Sequence, residues 1–459
     1  MRHGLLRNRA ILAVLIAETV SMTGSQMTWL AIPWFVLATT GSAARMGIVL
    51  AAEAVGVAVL GIPGGWLAGR LGARRSLVLA NAVAAPLLLA IPVLHWAGLL
   101  SFGLLLALVF VTGGIWGPYF AAQRALLPEI LGENEEVVSN ANALLQAAQR
   151  GTMLLGPVLA GVLVGIIGAP AVLIVDAGTF VFAVVVLAAA VPRAPRVEAG
   201  EADRALLAGV RFVLRDPLLR AWTATMAIGD AAWNALFAAI PYYTFTRYHE
   251  NPRLAGVLLA CFGVSAVGGN LLSFWLRRGV SARKLIAFGV LAQAAPLWLL
   301  TAAGPAWIVA ISLLLAGLAN GVVNPSLHAM LTLLPPPAVR TQALSAVLVA
   351  NQLAAPIGFL GAGFAISHYG LEAVFVAVPA VQTVAMGTRA IATLRSRKML
   401  AQKPEDEVPD PAARLAGKQV DAVVEARDED ELLVRGRGGG VHDLLVGREP
   451  GVAFRSDQQ

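Results

Sequence analysis

Long apolar stretches, separated by short polar breaks, make up most of the chain from residue 9 to residue 395. A helix that crosses a bilayer needs about 20 mostly apolar residues, and twelve stretches meet that length. Their approximate ranges, numbered as spans 1 to 12, are 10–38, 45–69, 74–96, 99–123, 137–166, 170–191, 218–246, 253–276, 284–303, 305–331, 340–367 and 371–393. The pattern predicts an all-α membrane protein with twelve transmembrane helices.

The connection between spans 6 and 7 is longer than the other breaks and divides the spans six and six. It begins as a polar linker, and residues 204–219 then place arginines among apolar residues at helical spacing, which is typical of a membrane interface. The predicted organisation is a six-helix bundle at 1–191, a cytoplasmic linker with an amphipathic helix at 192–217, a second six-helix bundle at 218–395, and a disordered cytoplasmic tail at 396–459. A short helix at 420–426 is the alternative for part of the tail.

Glycine and proline positions recur between the two groups of spans with a nearly constant offset. Gly113 and Gly117 in span 4 match Gly317 and Gly321 in span 10, a shift of 204 residues. Further pairs are Pro33 with Pro241, Pro118 with Pro325, Pro128 with Pro335, Gly156 with Gly358 and Gly161 with Gly363. The chain is therefore expected to be two parallel six-helix repeats, an arrangement of transporters that alternate access to a site near the membrane midplane.

The composition agrees with a membrane protein and excludes several other classes. The chain is 58% hydrophobic and 13% charged, whereas soluble domains contain about 25% charged residues. Most of its surface must therefore face lipid. The single cysteine, Cys261, excludes an intramolecular disulfide and a multi-cysteine metal site.

The net charge of +7 is the sum of two unlike parts. Residues 1–403 carry +13 and residues 404–459 carry −6. Among the segments before and between the spans, the N-terminus and the even-numbered connections hold the clusters of basic residues, while the opposite connections hold only Arg45, Arg247 and Arg253. By the positive-inside rule, both termini are expected in the cytoplasm, in a multi-pass protein of the cell membrane. The charge is thus a topology signal and gives no reason to expect nucleic acid as a partner.

Three motifs carry a family resemblance. The run from Gly65 to Arg75 resembles the Gly-x-x-x-Asp-Arg-x-Gly-Arg-Arg loop of the major facilitator superfamily, and the run from Gly156 to Gly161 resembles the glycine–proline motif of that family's exporters. Residues 118–128, followed by 140–144, resemble the branch that contains macrolide exporters and the enterobactin exporter. The resemblance covers about residues 9–395 and implies a transporter, not an enzyme.

In that family the loop between spans 2 and 3 acts as a gate that locks the two halves together. The resemblance assigns this gate to Gly65, Gly69, Arg70, Gly72, Arg74 and Arg75. Gly69 replaces the usual aspartate, so either another acid substitutes or close packing along Gly61, Gly65 and Gly69 holds the gate. The alternative is that the arginines only set the topology and meet helix C-terminal carbonyls.

In span 5 the motif residues are Gly156, Pro157 and Gly161. Proline removes one backbone hydrogen bond and kinks the helix. The resemblance associates this kinked, small-residue segment with export. Ordinary helix packing is the alternative interpretation.

Ionisable residues at membrane depth are costly, and each is therefore a hypothesis for a functional site. Proton coupling needs a carboxyl group that binds a proton when buried and releases it to water or to a nearby cation. The proton-coupling candidates are Asp230 and Glu18, followed by Glu53 and Arg150. A structural ion pair between Glu18 and Arg150 is the alternative, and Asp176 is expected at a helix start.

Spans 1, 4, 7 and 10 line the central cavity in this family, which by resemblance places their polar and aromatic residues against a substrate. These cavity candidates are Gln26, Trp29, Trp34, Trp116, Tyr119, Trp233, Asn234, Asn320, Asn324 and His328. Aromatic walls with a few amides suit a bulky, largely apolar substrate. The alternatives are interfacial tryptophans, interhelical amide bonds and a packing role for His328.

The predicted function is proton-coupled efflux of small amphipathic compounds, such as antibiotics, dyes or siderophore-like molecules, by alternating access. The predicted partners are this substrate, protons and the lipid bilayer, and the chain is expected to be a monomer without a cofactor or metal. The pair Gly417-Lys418 lacks the earlier glycine of an ATP-binding loop. Two alternatives stay open: a transporter of one physiological solute, and a transport-inactive receptor or lipid-handling protein with the same fold.

Overall fold

The computed structural model describes residues 8–131, 135–192, 203–302, 304–336 and 339–396, and four short segments of the tail. The N-terminal half consists of α1 (Arg9–Thr40), α2 (Ala43–Leu71), α3 (Ala73–Trp96), α4 (Phe102–Leu131), α5 (Glu135–Ile167) and α6 (Ala169–Ala190). The short helix α7 (Asp203–Arg215) precedes the second half. The C-terminal half consists of α8 (Pro217–Arg247), α9 (Pro252–Leu276), α10 (Ala282–Ala294) with a 3₁₀ segment (Ala295–Ala302), α11 (Ala306–Leu333), α12 (Arg340–Tyr369) and α13 (Leu371–Arg395).

The described helices confirm the predicted all-α membrane fold. Eleven of them, with α10 and its 3₁₀ segment counted as one, are long and apolar enough to cross a membrane by length and composition. Helix α8, 31 residues long, is the candidate for the twelfth crossing. It is less apolar than the others because it carries polar side chains such as Asp230 and Asn234.

Proline accompanies two departures from the predicted helices, one inside span 9 and one at the end of the amphipathic helix. Span 9 is not one continuous α-helix, because Pro296 lacks the backbone N–H that an α-helical turn needs and the chain continues as a 3₁₀ segment. The amphipathic helix, predicted to reach residue 219, ends at Arg215. Asp216 then caps α8, accepting hydrogen bonds from the backbone of Leu218 at 2.9 Å and Leu219 at 3.2 Å, with Pro217 as the first helical residue.

The apolar face of α7 packs partly against the C-terminal half instead of lying wholly in the membrane interface. Val213 is buried in a cluster that includes Leu218 and Val347. Val210 and Leu214 remain exposed. The linker helix is therefore attached to α12 through part of its apolar face.

The repeated glycines mark the same helix contact in both halves. In the N-terminal half, Gly113 and Gly117 of α4 lie directly against the α2 backbone at Glu53 and Gly61. In the C-terminal half, Gly317 and Gly321 of α11 lie against the α9 backbone at Phe262 and Ala266. Small residues allow such close backbone approach. The sequence repeat is therefore a repeat of intrahalf packing between span pairs 2–4 and 8–10.

The two halves contact each other at the end of the helices opposite to the N-terminus. There a Cβ added to Gly363 of α12 would lie 3.2 Å from the Cα of Gly47 on α2, and one added to Gly256 of α9 would lie 3.2 Å from the Cα of Gly161 on α5. Trp34 of α1 meets Phe245 of α8 edge to face, with ring centroids 5.5 Å apart. Close glycine contacts and one aromatic pair therefore hold the halves together at this end.

Residues 400–459 form a unit of their own, in which four short segments are described. Its described strands are β1 (Ala422–Ala426), β2 (Leu432–Gly436), β3 (Val441–Leu445) and β4 (Ala453–Phe454), paired antiparallel in chain order. The short helix considered at 420–426 is wrong, since residues 422–426 are a strand. Val423 and Val424 are β-branched and favour that conformation, and Val424 pairs with Val434.

The contact between the halves predicts that Gly256→Ala lowers the free energy of unfolding by about 1–3 kcal/mol, the usual cost of overpacking. The added methyl group would collide with the carbonyl of Pro157. Thermal unfolding in detergent measures the change. The matched control is Gly263→Ala on the same helix, where a Cβ would have its nearest neighbours at 3.9 Å. Equal midpoints for the two variants would contradict the proposed close contact.

Candidate functional site

Glu18 lies at the centre of a buried hydrogen-bond network in the N-terminal half. Its side chain on α1 is 1% exposed. Tyr119 of α4 donates to the Glu18 carboxylate at 2.7 Å, and Gln123 of α4 donates to the same oxygen. Gln149 of α5 extends the network by donating to Gln123 at 3.0 Å. The carboxyl group thus links α1 to α4 and, through Gln123, to α5.

Arg150 does not take part in this network, so the ion pair considered between Glu18 and Arg150 is wrong. Arg150 is exposed, and the one ion pair found among the described residues joins Arg247 to Glu372. Successive residues of an α-helix point about 100° apart. The side chain that α5 turns towards Gln123 is Gln149, which leaves Arg150 on another face.

A second polar site lies in a small cavity between α1, α2, α3, α4 and α6. Glu53 and Asp176 both line it, together with Thr28 and Trp116. Thr28 donates to Asp176 at 2.5 Å. The cavity has a volume of about 10 Å³, close to the minimum for one water molecule. Two acids here face a space too small for an organic substrate.

Asp176 differs from its expected place at a helix start. Helix α6 begins at Ala169, so Asp176 lies about two turns inside it and is fully buried. Thr179 also donates to its carboxylate, at 3.0 Å. Asp176 therefore holds α6 against α1 and is not a helix cap.

Asp230 lies near the middle of α8 and is half-buried. Arg389 of α13 lies close to the preceding residue, since a Cβ built on Gly229 would lie 3.9 Å from its guanidinium group. Sequence reasoning missed Arg389, although a cation inside span 12 is the kind of signal that marks a site at membrane depth. The structure therefore gives the C-terminal half one acid and one base in a shared polar region.

Two of the cavity candidates, Gln26 and Asn234, occupy equivalent places in the two halves. Gly156 of α5 lies against Gln26 of α1, and Gly358 of α12 lies against Asn234 of α8. Asn234 also donates to the backbone carbonyl of Asp230 at 2.7 Å. Both amides are half-buried, each beside the glycine that the repeat predicts.

The aromatic candidates do not form one continuous wall. Trp29 is 51% exposed, whereas Trp34 and Trp233 are buried in the hydrophobic core. Trp116 stacks on Phe120, with ring centroids 5.5 Å apart, and Tyr119 is buried in the Glu18 network. Trp29 and Trp116 are therefore the tryptophans among these candidates with surface left for a ligand.

The polar candidates of α11 line one face of that helix. Asn324 donates to Asn320 at 2.8 Å, and both residues are half-buried. His328 is exposed one turn further on. The spacing of four residues places all three on the same side of α11.

Comparison with known proteins decides the family. The model of the Major Facilitator Superfamily matches residues 14–278 and 228–422. The chain belongs to the Major Facilitator Superfamily. It is therefore a membrane transporter by family and not an enzyme, as the sequence predicts.

Curated relatives cover most of the chain at low identity. The multidrug efflux pump Tap of Mycolicibacterium fortuitum is 25% identical over 415 residues, which cover 86% of this chain and 98% of that protein. An uncharacterised MFS-type transporter, y4rN, of Sinorhizobium fredii is 27% identical, over 84% of this chain and 94% of that protein. Tap of Mycobacterium tuberculosis is 23% identical, over 82% and 92%.

Solved structures share the fold. The nucleoside transporter NupG superimposes with a TM-score of 0.65 at 14% identity and covers 86% of this chain and 100% of that chain. A D-xylose–proton symporter gives 0.63 at 16% identity, over 82% and 96%. A bacterial homologue of the human lysosomal transporter Spinster, in an inward-facing and unoccupied conformation, gives 0.67 at 13% identity, over 84% and 96%.

The superfamily loop between α2 and α3 makes several local contacts. Arg70 lies over the Trp66 ring, 3.8 Å from its centroid, and Arg74 donates to the Ala188 carbonyl at the end of α6 at 2.5 Å. Arg283 makes the equivalent contact with the Leu394 carbonyl at the end of α13. Each half therefore uses an arginine to satisfy a helix C-terminus.

Gly72 and Glu129 shape the junction between this loop and α3. Gly72 adopts a φ of 83°, which disfavours any residue with a side chain, and immediately precedes α3. Glu129 of α4 accepts from the Ala73 backbone at 3.0 Å. An acid therefore does lie beside the loop that lacks the usual aspartate, but it joins helices of the same half. Arg75 is exposed, and the surroundings of Gly65 and Gly69 in α2 lie outside the described residues.

The span 5 motif lies between the two halves. Gly156 packs on α1 of its own half, while the carbonyl of Pro157 and Gly161 face α9 of the other half at Gly256. The small residues after the proline therefore permit close contact between the halves, beyond the ordinary packing within one of them.

The Glu18 network predicts that Tyr119→Phe lowers the free energy of unfolding by about 1–3 kcal/mol, because a buried carboxyl group loses a hydrogen-bond donor. The measurement is thermal unfolding of the purified protein in detergent. Tyr369→Phe, at an exposed position on α12, is the control and should leave the midpoint unchanged. A Tyr119→Phe midpoint equal to that of the parent protein would contradict the network.

Proposed function

We propose that this chain exports small amphipathic compounds from the cytoplasm in exchange for protons. The observation that carries the proposal is the placement of an acid at depth in the first helix of each half, Glu18 in α1 and Asp230 in α8. In a transporter of this superfamily, an acid away from bulk water is a group that binds a proton in one state and releases it in another.

The direction of transport rests on the relatives and on charge. Two of the relatives described above bear the name multidrug efflux pump, and the chain spans 92–98% of their lengths. Clusters of Lys and Arg in the even-numbered connections favour a cytoplasmic location of both termini in the cell membrane. Export from the cytoplasm follows from these two arguments together.

Alternating access would use the contact between the halves. With the N-terminus in the cytoplasm, the glycine contacts Gly47–Gly363 and Gly161–Gly256 lie at the outer end. This state is then closed to the outside. Separation of these contacts would open the pathway outward, by rigid-body movement of one half against the other. Because one chain contains both halves, we propose that it acts as a monomer.

The substrate class follows from the side chains left accessible on α1, α4 and α11. Trp29 and Phe120 expose aromatic surface, and Asn320, Asn324 and His328 provide polar groups. Apolar walls with a few convergent polar groups suit compounds with a large apolar body and a polar end. Antibiotics, dyes and siderophore-like molecules share this chemistry.

Gradient-driven dye movement tests the function directly. We expect proteoliposomes that contain the protein to move a hydrophobic cationic dye against its concentration when a pH gradient is imposed, and to stop when an ionophore collapses the gradient. Dye fluorescence measures the flux. Flux of one solute only, across a broad panel, would favour a specific transporter. No flux in any condition would favour a transport-inactive receptor or lipid-handling protein.

Asp230→Asn should abolish gradient-driven transport and preserve substrate exchange, because asparagine keeps the volume of the side chain but cannot carry a proton. Uphill flux and counterflow, measured in the same vesicles, separate the two activities. Glu250→Gln, at an exposed position outside the helices, serves as the control. Undiminished uphill transport in Asp230→Asn would remove Asp230 as the coupling residue.

A further inference from the structure

Arg150 is a cation within the apolar part of α5. It lies ten residues after Asn140, where the candidate membrane span of this helix begins, or about 15 Å along the helix axis. Its side chain is exposed. The ion pair found among the described residues joins Arg247 to Glu372 and does not include Arg150. Because a cation at this depth is costly in lipid, it has to face water or an anion.

The helical spacing places Arg150 on the face of α5 that is turned towards the other half. On this face, Gly161 and the carbonyl of Pro157 lie against Gly256 of α9. Arg150 precedes Gly161 by eleven residues and Pro157 by seven, which are close to three and two turns of 3.6 residues. The guanidinium group therefore lies between the halves, on the side of this contact that the proposed topology places towards the cytoplasm.

The gap between α5 and α9 widens from the glycine contact towards Arg150. A Cβ on Gly256 would lie 3.2 Å from the Cα of Gly161, whereas a Cβ on Gly263, two turns along α9, would have its nearest neighbours on α5 at 3.9 Å. The two helices therefore separate with distance from the contact. They form the walls of a cleft, and Arg150 lies one turn beyond the last of these neighbours.

Apolar side chains line the two walls of this cleft. Met153, nearly one turn from Arg150 on α5, is 61% exposed, and Val267 of α9 is 40% exposed. The contacts of α5 with α9 show that the two helices run antiparallel, with Gly263 beside Met153. One further turn on each helix places Val267 level with Arg150. The cleft thus combines one guanidinium group with apolar walls.

The chemistry of the cleft favours one class of ligand. A guanidinium group presents a planar fork of N–H donors that matches a carboxylate or sulfonate group. An inorganic anion would pair with the guanidinium group but leave the apolar walls uncovered. An uncharged compound would cover the walls but leave the guanidinium group without an acceptor. An organic acid with an apolar body satisfies both.

We propose that Arg150 binds the carboxylate or sulfonate group of an amphipathic organic anion whose apolar body lies against Met153 and Val267. In the proposed export function, on which this assignment rests, the anion is a substrate that enters from the cytoplasm. The site is separate from the Glu18 network, because Gln149 is the side chain of α5 that faces that network.

Binding of pyrenebutyrate and pyrenebutanol to the full-length protein tests the site without transport. The two probes share an apolar body, and only pyrenebutyrate carries a carboxylate at neutral pH. In phosphatidylcholine nanodiscs, energy transfer from tryptophan to pyrene measures each Kd, and protein-free nanodiscs correct for partition into lipid. In Arg150→Gln we expect the pyrenebutyrate Kd to rise about tenfold, since a charge-assisted hydrogen bond is lost. The pyrenebutanol Kd should stay the same.

Two matched variants control for charge and geometry. Arg150→Lys keeps a cation without the planar fork and should retain part of the pyrenebutyrate affinity. Arg395→Gln removes an exposed cation at the end of α13 and should leave both Kd values unchanged. The proposal is overturned if Arg150→Gln weakens neither probe, if it weakens both equally, or if Arg395→Gln reproduces its effect.

The opposite wall of the cleft gives an independent variant. Val267→Glu would provide Arg150 with a resident carboxylate and should weaken pyrenebutyrate binding as much as Arg150→Gln does. The double variant should show no further loss, because both changes remove the same interaction. Val267→Gln, similar in size but uncharged, should retain the binding. Undiminished pyrenebutyrate binding in Val267→Glu would overturn the placement of the site between α5 and α9.

An anionic phospholipid is the other source of the same chemistry. The titrations are therefore repeated in nanodiscs that also contain phosphatidylglycerol, and we expect the ratio of the pyrenebutyrate Kd values of Arg150→Gln and the parent protein to persist. If phosphatidylglycerol abolishes that ratio by weakening the parent protein alone, the cleft binds lipid and the assignment to a substrate is overturned.

The outcomes separate the anion site from the proposed function. Gradient-driven flux of the cationic dye, with no selective loss of pyrenebutyrate binding in Arg150→Gln, would overturn the anion site and leave the exporter intact. A selective loss of binding, without flux of any compound in the parent protein, would support the anion site and overturn the exporter.

Discussion

A polar or charged group at membrane depth must find its partners within the protein, because neither bulk water nor lipid headgroups reach it. Three buried groups satisfy this constraint with helices of their own half. Glu18 joins α1 to α4, Asp176 joins α1 to α6, and Arg389 joins α13 to α8. Polar contacts thus connect helices within each half.

Contact between the halves is of a different kind. The glycine pairs Gly47–Gly363 and Gly161–Gly256 and the ring pair Trp34–Phe245 are close. In the described part of the chain, no hydrogen bond joins the members of these pairs. Such packing can separate without leaving buried polar groups unpaired. Hydrogen bonds therefore hold the helices of each half together, whereas apolar packing holds the two halves together at one end.

Particular residues show how far the sequence leads towards the site. Glu18 and Asp230 are identified as candidates because each is an ionisable residue inside a predicted span. Arg389 meets the same criterion inside span 12 but was not among the predicted candidates. Tyr119 is a member of the predicted set, but its partner Glu18 is visible only in the fold. Arg150, a candidate beside Glu18, points away because its neighbour Gln149 occupies the inward face. Successive residues of a helix point about 100° apart, so the direction of each side chain decides which partner it meets. The depth of a residue in the membrane does not reveal that direction.

The sequence by itself determined the membrane crossings, the two parallel repeats and the family, because apolar length and glycine or proline spacing are properties of the chain in one dimension. Only the tertiary structure decided which polar residues meet, which end of the halves is closed, and that Arg150 lies on the face of α5 that is turned towards the other half. The reason is physical. The rotation of each helix about its own axis is fixed by packing against several neighbours at once, and no single helix sequence specifies it.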